Sequence, residues 1–129
     1  MIDNRLYEYM AALMKRVPMT LIRYMYERIN WNGRLVGIIG PRGVGKSTMV
    51  MQRIKLCSGG HHLYVSVDNM YFNNHPLQDF IDDFVKEGGT HLYIDEIHKC
   101  PGWSTVLKQA YDIYPDLHIL TSSLLFAII

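Results

Sequence analysis

Only 2 of the 129 residues are cysteine, Cys57 and Cys100, so no disulfide framework can hold this chain together. Any folded state must come from a packed core. Proline is scarce at 5 and glycine stands at 10, which excludes collagen-like and Pro/Gly-rich low-complexity architectures. No apolar run approaches the ~18 residues that a membrane-spanning helix needs. The longest is Leu124 to Ile129. An excess of one charge is also missing: 13 Lys+Arg against 12 Asp+Glu leave +1. No overall basic field therefore draws the chain to nucleic acid or to a membrane surface. The N-terminus carries no signal-peptide pattern, so a reduced, cytoplasmic protein without a membrane partner is expected.

What is present is a globular composition, 49% hydrophobic, 12% aromatic and 19% charged. A chain of this length can bury roughly two-thirds of its unfolded surface, enough for one core. One domain over 1–129 is expected. The first 34 residues lean basic, with Arg5, Lys15, Arg16, Arg23, Arg28 and Arg34 against Asp3, Glu8 and Glu27. These charges are interleaved with apolar positions, which reads as the wet side of two helices.

Leu6, Met10, Leu13, Met14 and Val17 recur at helical spacing, and after Pro18 so do Leu21, Ile22, Met25 and Ile29. Two helices over 1–34 therefore precede a core over 35–129. From Leu35 the chain alternates. Leu35 to Ile39 is a continuous apolar run, the mark of a strand buried on both faces. A helix follows from Lys46 to Cys57, stopped by Ser58-Gly59-Gly60. Further strands are expected at Leu63–Val67, His91–Asp95 and Leu117–Thr121. Between them, one helix carries Leu77, Phe80, Ile81, Phe84 and Val85. Another runs from Trp103 to Tyr114 with Val106, Leu107, Ala110 and Tyr111 on one side. Alternating strands and helices imply a parallel sheet between helical layers, a three-layer α/β fold.

Gly40-Pro41-Arg42-Gly43-Val44-Gly45-Lys46-Ser47 matches the phosphate-loop pattern G-x-x-x-x-G-K-[ST] in full. The glycines let the backbone wrap closely, so that successive N–H groups point at phosphate oxygens. The loop opens onto a helix N-terminus, whose partial positive charge adds to the attraction. Lys46 supplies a cation for the β and γ phosphates, and the Ser47 hydroxyl suits Mg²⁺. Thr48, next in the helix, joins the nucleotide contacts. By composition such a match arises in about four chains per thousand of this length. Its position, after a buried strand and before a helix, is the one the motif requires.

The second signal is His91-Leu92-Tyr93-Ile94-Asp95-Glu96. An apolar strand delivers two adjacent acids at its C-terminal end, where ligands bind in parallel sheets. The pleat is expected to send them to opposite sides, so they cannot share a task. Asp95 suits the Mg²⁺ shell; Glu96 would position or deprotonate the attacking water. A strand between the phosphate loop and the acid pair, with a Glu directly after the Asp, resembles the ATPase branch of the P-loop fold rather than its GTPase or small-kinase branches. No Asn-Lys-x-Asp is present to read guanine, so ATP is the expected nucleotide.

Thr121-Ser122-Ser123 ends the fourth expected strand, beside the acid strand. One of these hydroxyls, with Thr121 as the first candidate, could meet the γ-phosphate or the attacking water; capping a following helix is the alternative. Asp68 reads as a turn-former and Trp103 as a packing anchor. Neither Cys57-His61-His62 nor His98-Cys100 has a zinc spacing.

Together, Gly-Pro-Arg-Gly-Val-Gly-Lys-Ser, Tyr-Ile-Asp-Glu-Ile-His-Lys-Cys-Pro-Gly-Trp and Leu-His-Ile-Leu-Thr-Ser-Ser resemble the AAA-type P-loop ATPases of prokaryotes. The nearest group is the bacterial and archaeal "AAA domain" ATPases. The resemblance covers the chain from Arg34 onward. It implies Lys46 and Ser47 in the phosphate and magnesium roles, Asp95 as the acid of the magnesium strand, and Glu96 as the catalytic Glu. Thr121 to Ser123 would hold the polar sensor, and the helices before Leu35 would border adenine. Gly43 and Ser122 depart from the group, which often has Arg or Gln at the first and Gly at the second. The group continues with a fifth strand, a helical lid and often a further C-terminal domain. The chain is thus expected to be the N-terminal portion of a longer protein, with a fold incomplete at its C-terminus. Many AAA-type proteins form rings and others act as monomers, so a homo-oligomer is compatible with the resemblance. The expected activity is hydrolysis of Mg-ATP to ADP and phosphate. An ATP-gated switch with negligible turnover is the alternative, and a small-molecule kinase a weaker third. No protein or nucleic-acid partner is legible.

Overall fold

The computed structural model describes residues 2–16, 29, 31–40, 46–57 and 59–124. In chain order its elements are α1 (Asn4–Arg16), β1 (Leu35–Gly40), α2 (Lys46–Leu56), β2 (His62–Ser66) and a 3-10 turn (Met70–Asn73). There follow α3 (Leu77–Lys86), β3 (His91–Asp95), a second 3-10 turn (Ile97–Lys99), α4 (Trp103–Ile113) and β4 (His118–Leu124). The strands form one parallel sheet in the order β1-β4-β3-β2. This is the expected α/β fold. The helix expected on Leu21, Ile22 and Met25 lies outside the described residues, as do 125–129.

Strand period decides which residues meet which helical layer. Leu63 and Val65 of β2, Leu92 and Ile94 of β3, and Ile119 of β4 pack with Phe80, Ile81 and Phe84 of α3 and Leu107 and Ala110 of α4. The intervening Tyr64, Tyr93 and Leu120 pack on the other face against Val50, Met51 and Ile54 of α2. Helix α1 spans both clusters: Leu6 joins the first, and Met10, Leu13 and Met14 border the second. It also shields the outer edge of β2, where Tyr64 N donates to Met10 Sδ at 3.3 Å.

Helix α3 ends in a two-bond glycine cap. Gly88, with φ 89°, donates to Val85 O, and Gly89 donates to Phe84 O at 2.8 Å. A Cβ at Gly89 would lie 2.4 Å from the buried Phe84 ring, so glycine alone fits there.

Two expectations change. Tyr111, expected on one side of α4 with Val106, Leu107 and Ala110, is 43% exposed, whereas Leu107 and Ala110 are buried. The Arg34 guanidinium lies 3.9 Å from its ring centroid and donates to the Tyr111 and Tyr114 carbonyls, tying the C-terminal end of α4 to the start of β1. Strand β4 runs to Leu124 rather than stopping at Thr121, because β1 accompanies it as far as the Gly40–Leu124 pair. Its three hydroxyls therefore alternate within a strand instead of capping a helix.

At the opposite end of the sheet, His62, His91 and His118 stand in register across β2, β3 and β4. Their rings stack at centroid distances of 4.4 and 4.6 Å.

Candidate functional site

The sheet brings two distant expectations together. β1 ends at Gly40 and α2 begins at Lys46, so the phosphate-loop pattern bridges a strand and a helix N-terminus, as the motif demands. Residues Pro41, Arg42, Gly43, Val44 and Gly45 lie outside the described residues, and so does the side chain of Lys46. Ser47 follows in the first turn of α2, with its Oγ 2.7 Å from Asp95 Oδ2. Thr48 is half-buried in the same turn.

Asp95 is the last residue of β3 and only 9% exposed. Its carboxylate is saturated with donors. Oδ2 accepts from Ser47 and, at 2.5 Å, from the Tyr64 hydroxyl; Oδ1 accepts from Ser122 Oγ at 2.5 Å and from Glu96 N at 2.9 Å. Burial by itself would raise this acid, but the donations from Ser122, Tyr64, Ser47 and the Glu96 amide outweigh it and hold the carboxyl below its ordinary value. Tyr64 moves the other way. Burial, then the Asp95 charge, pushes its phenol far above the usual value, so it stays a proton donor. The result is an ionised carboxylate beside a serine hydroxyl at the head of a helix. Two hard oxygen donors from separate elements suit Mg²⁺.

Glu96 takes a different route from the pleat expected for it. Among the described residues it is the one non-glycine with positive φ, at 58°. That left-handed turn ends β3 and directs the side chain toward the Ile97–Lys99 turn. Its Oε2 lies 3.3 Å from His98 Nε2 and 3.7 Å from Lys99 Nζ. The two acids thus end with separate partners, as expected, through a backbone turn and not through strand alternation.

The β4 hydroxyls divide by parity. Ser122 faces α2 with Leu120 and reaches Asp95. Thr121 does not join that group: it lines a cavity of about 420 Å³ on the α4 side, with Trp103, Leu107 and Tyr111. Ser123 lines the same cavity and pairs with His98 Nδ1 at 2.9 Å. Asp68 sits beyond β2, where its carboxylate accepts from Lys99 Nζ at 2.7 Å.

Sequence reasoning passed over Tyr64 and weighed His98 only as a zinc ligand. Tyr64 shares a face with Asp95 only because β2 and β3 pair Tyr64 with Tyr93 and Ser66 with Asp95, a register no linear spacing reports. For His98, adjacency to Glu96 was the available signal.

Among the described residues no helix is long and apolar enough to cross a membrane. No curated protein matches the sequence. Among solved structures, C. elegans PCH-2 aligns at 20% identity and a TM-score of 0.46, over 93% of this chain. The chain spans 36% of the length of that protein. Residues 32–128 match the family described as AAA domain, which takes in the phosphate-loop pattern, the acid strand and β4. That match covers most of the sequence, and the chain belongs to the AAA domain family.

Proposed function

We propose that this chain binds Mg-ATP through residues 40–48 and hydrolyses it to ADP and phosphate, as the motor or switch core of a larger protein. Nucleotide binding and hydrolysis are the general activity of the family; the residue roles are our reading. The observation that carries it is the 2.7 Å contact between Ser47 Oγ and Asp95 Oδ2. It joins the end of the phosphate-loop pattern to the acid strand across 48 residues of sequence.

Ser47 and Asp95 would hold Mg²⁺, which supplies charge neutralisation for the phosphates when bound. Lys46 and the amides of Gly43, Val44 and Gly45 would cradle the phosphate oxygens, with Gly40, Pro41 and Arg42 shaping the loop and Thr48 of α2 adding a nucleotide contact. Glu96 would accept a proton from the attacking water. Thr121, on the α4 side, is left with a packing role, and Ser122 takes the place nearest the magnesium acid. Residues 1–34 would form helices beside this core, 35–129.

Calorimetric titration of Mg-ATP into the wild type and Lys46→Ala, with phosphate release from the wild type and Glu96→Gln, tests the reading. Binding lost in Lys46→Ala and turnover lost in Glu96→Gln are expected. Binding without measurable turnover in the wild type would instead favour an ATP-gated switch. A folded wild type that binds no Mg-ATP would overturn the proposal.

A further inference from the structure

Glu96 Oε2 is buried and makes no aligned hydrogen bond, although His98 Nε2 is 3.3 Å away. The imidazole itself is well held, with its side chain 11% exposed. Its other nitrogen, Nδ1, meets the hydroxyl of Ser123, a residue 3% exposed inside β4. A carboxylate only accepts hydrogen bonds, so the nitrogen facing Glu96 must carry the proton for the contact to be attractive. In the neutral ring Nδ1 is then the acceptor and Ser123 Oγ–H the donor.

The alternation of β4 gives the arrangement its meaning. Ser122 serves Asp95 on the α2 face, and Ser123 serves His98, hence Glu96, on the α4 face. One strand thereby fixes both acids through adjacent hydroxyls.

We propose that His98 is a positioning residue, held by Ser123 as its Nε2–H tautomer and setting the direction of the Glu96 carboxylate. The inference rests on the reading of Glu96 as the proton acceptor. It gives Ser123 a task as well, since a hydroxyl that donates to Nδ1 supports the Nε2–H tautomer that the Glu96 carboxylate requires.

Two readouts test it on the full chain. Long-range ¹H–¹⁵N spectra of histidine-labelled, unliganded protein report the tautomer, with the His98 ring assigned by its loss in His98→Gln. The expected result is Nε2–H, turning to a tautomer mixture in Ser123→Ala. An Nδ1–H ring in the wild type overturns the proposal whatever the turnover. In phosphate release, His98→Leu should lose about tenfold or more in kcat with the Kd for Mg-ATP changed less than about twofold. His98→Gln should recover most of the rate, because its amide can accept from Ser123 and donate to Glu96 together. Wild-type turnover in His98→Leu, with Glu96→Gln inactive, overturns the positioning role and leaves the proposed function standing. Wild-type turnover in Glu96→Gln overturns both.

Discussion

The Tyr64 hydroxyl donates at 2.5 Å to the same Asp95 oxygen that Ser47 reaches at 2.7 Å. β2 therefore contributes to the acid site although it carries no residue of either motif. Asp95 stays ionised in a buried position because donors from α2, β2, β4 and the Glu96 backbone converge on it. Removing one leaves the others to oppose burial.

Tyr64→Phe should cost about 1.5–3 kcal/mol, the range for a hydrogen bond to a charged group. The acid limb should change as well. A carboxyl lowered on folding contributes stability above its unfolded value of 3.8, lost as pH falls through the folded value. Without the Tyr64 donor the folded value rises, so acid unfolding should begin at higher pH. Thermal melts across pH 2.5 to 6 check both; an unchanged acid limb would count against the donor role.

The two neighbouring β4 hydroxyls should separate cleanly. Ser122→Ala removes one of the two Oδ1 donors and is expected to weaken Mg-ATP binding or turnover by about tenfold, equivalent to ~1.4 kcal/mol. Thr121→Ala lies on the opposite face and should change either by less than twofold. Titration and phosphate release on both variants decide; equal losses would contradict the parity assignment.

The histidine stack predicts a stability slope on the acidic side. Burial, then His62 and His118 on either side, lowers His91 from 6.5 to about 4, with Arg53 adding to the effect. Between those values the unfolded chain binds more protons than the folded one, so stability rises with pH across that window. The ring is partly open to water, so the contribution should be on the order of 1 kcal/mol. Urea unfolding from pH 4 to 7.5 should show this slope, flattened in His91→Gln. A slope unchanged by that substitution would remove His91 as its source.

Gly89→Ala should destabilise by about 1–3 kcal/mol through overpacking against Phe84. The ring is fully buried and cannot swing aside. Gly59→Ala provides the comparison: its Cβ meets nothing within 4 Å, so any cost comes from its positive φ alone. Chemical denaturation of the two variants measures the difference, and a milder effect at Gly89 would refute the close approach.

Much was legible in the linear pattern. The apolar run at Leu35–Ile39, the glycine spacing at 40–45, Lys46-Ser47 and the acids after Tyr93-Ile94 specify strand, loop, helix and a second strand, because each signal is local. Parallel order followed from the alternation of strands and helices. Which hydroxyl meets which acid was not legible, since it depends on strand register and on where β4 stops pairing. Only the sheet could place Ser122 rather than Thr121 at one Asp95 oxygen and Tyr64 at the other. The left-handed turn at Glu96 belongs to that class too: the residue type argues against positive φ, and the packed Ile97–Lys99 turn requires it. Sequence determined the motifs and the fold class through local periodicity; the tertiary structure decided the partners, because pairing between distant strands sets them.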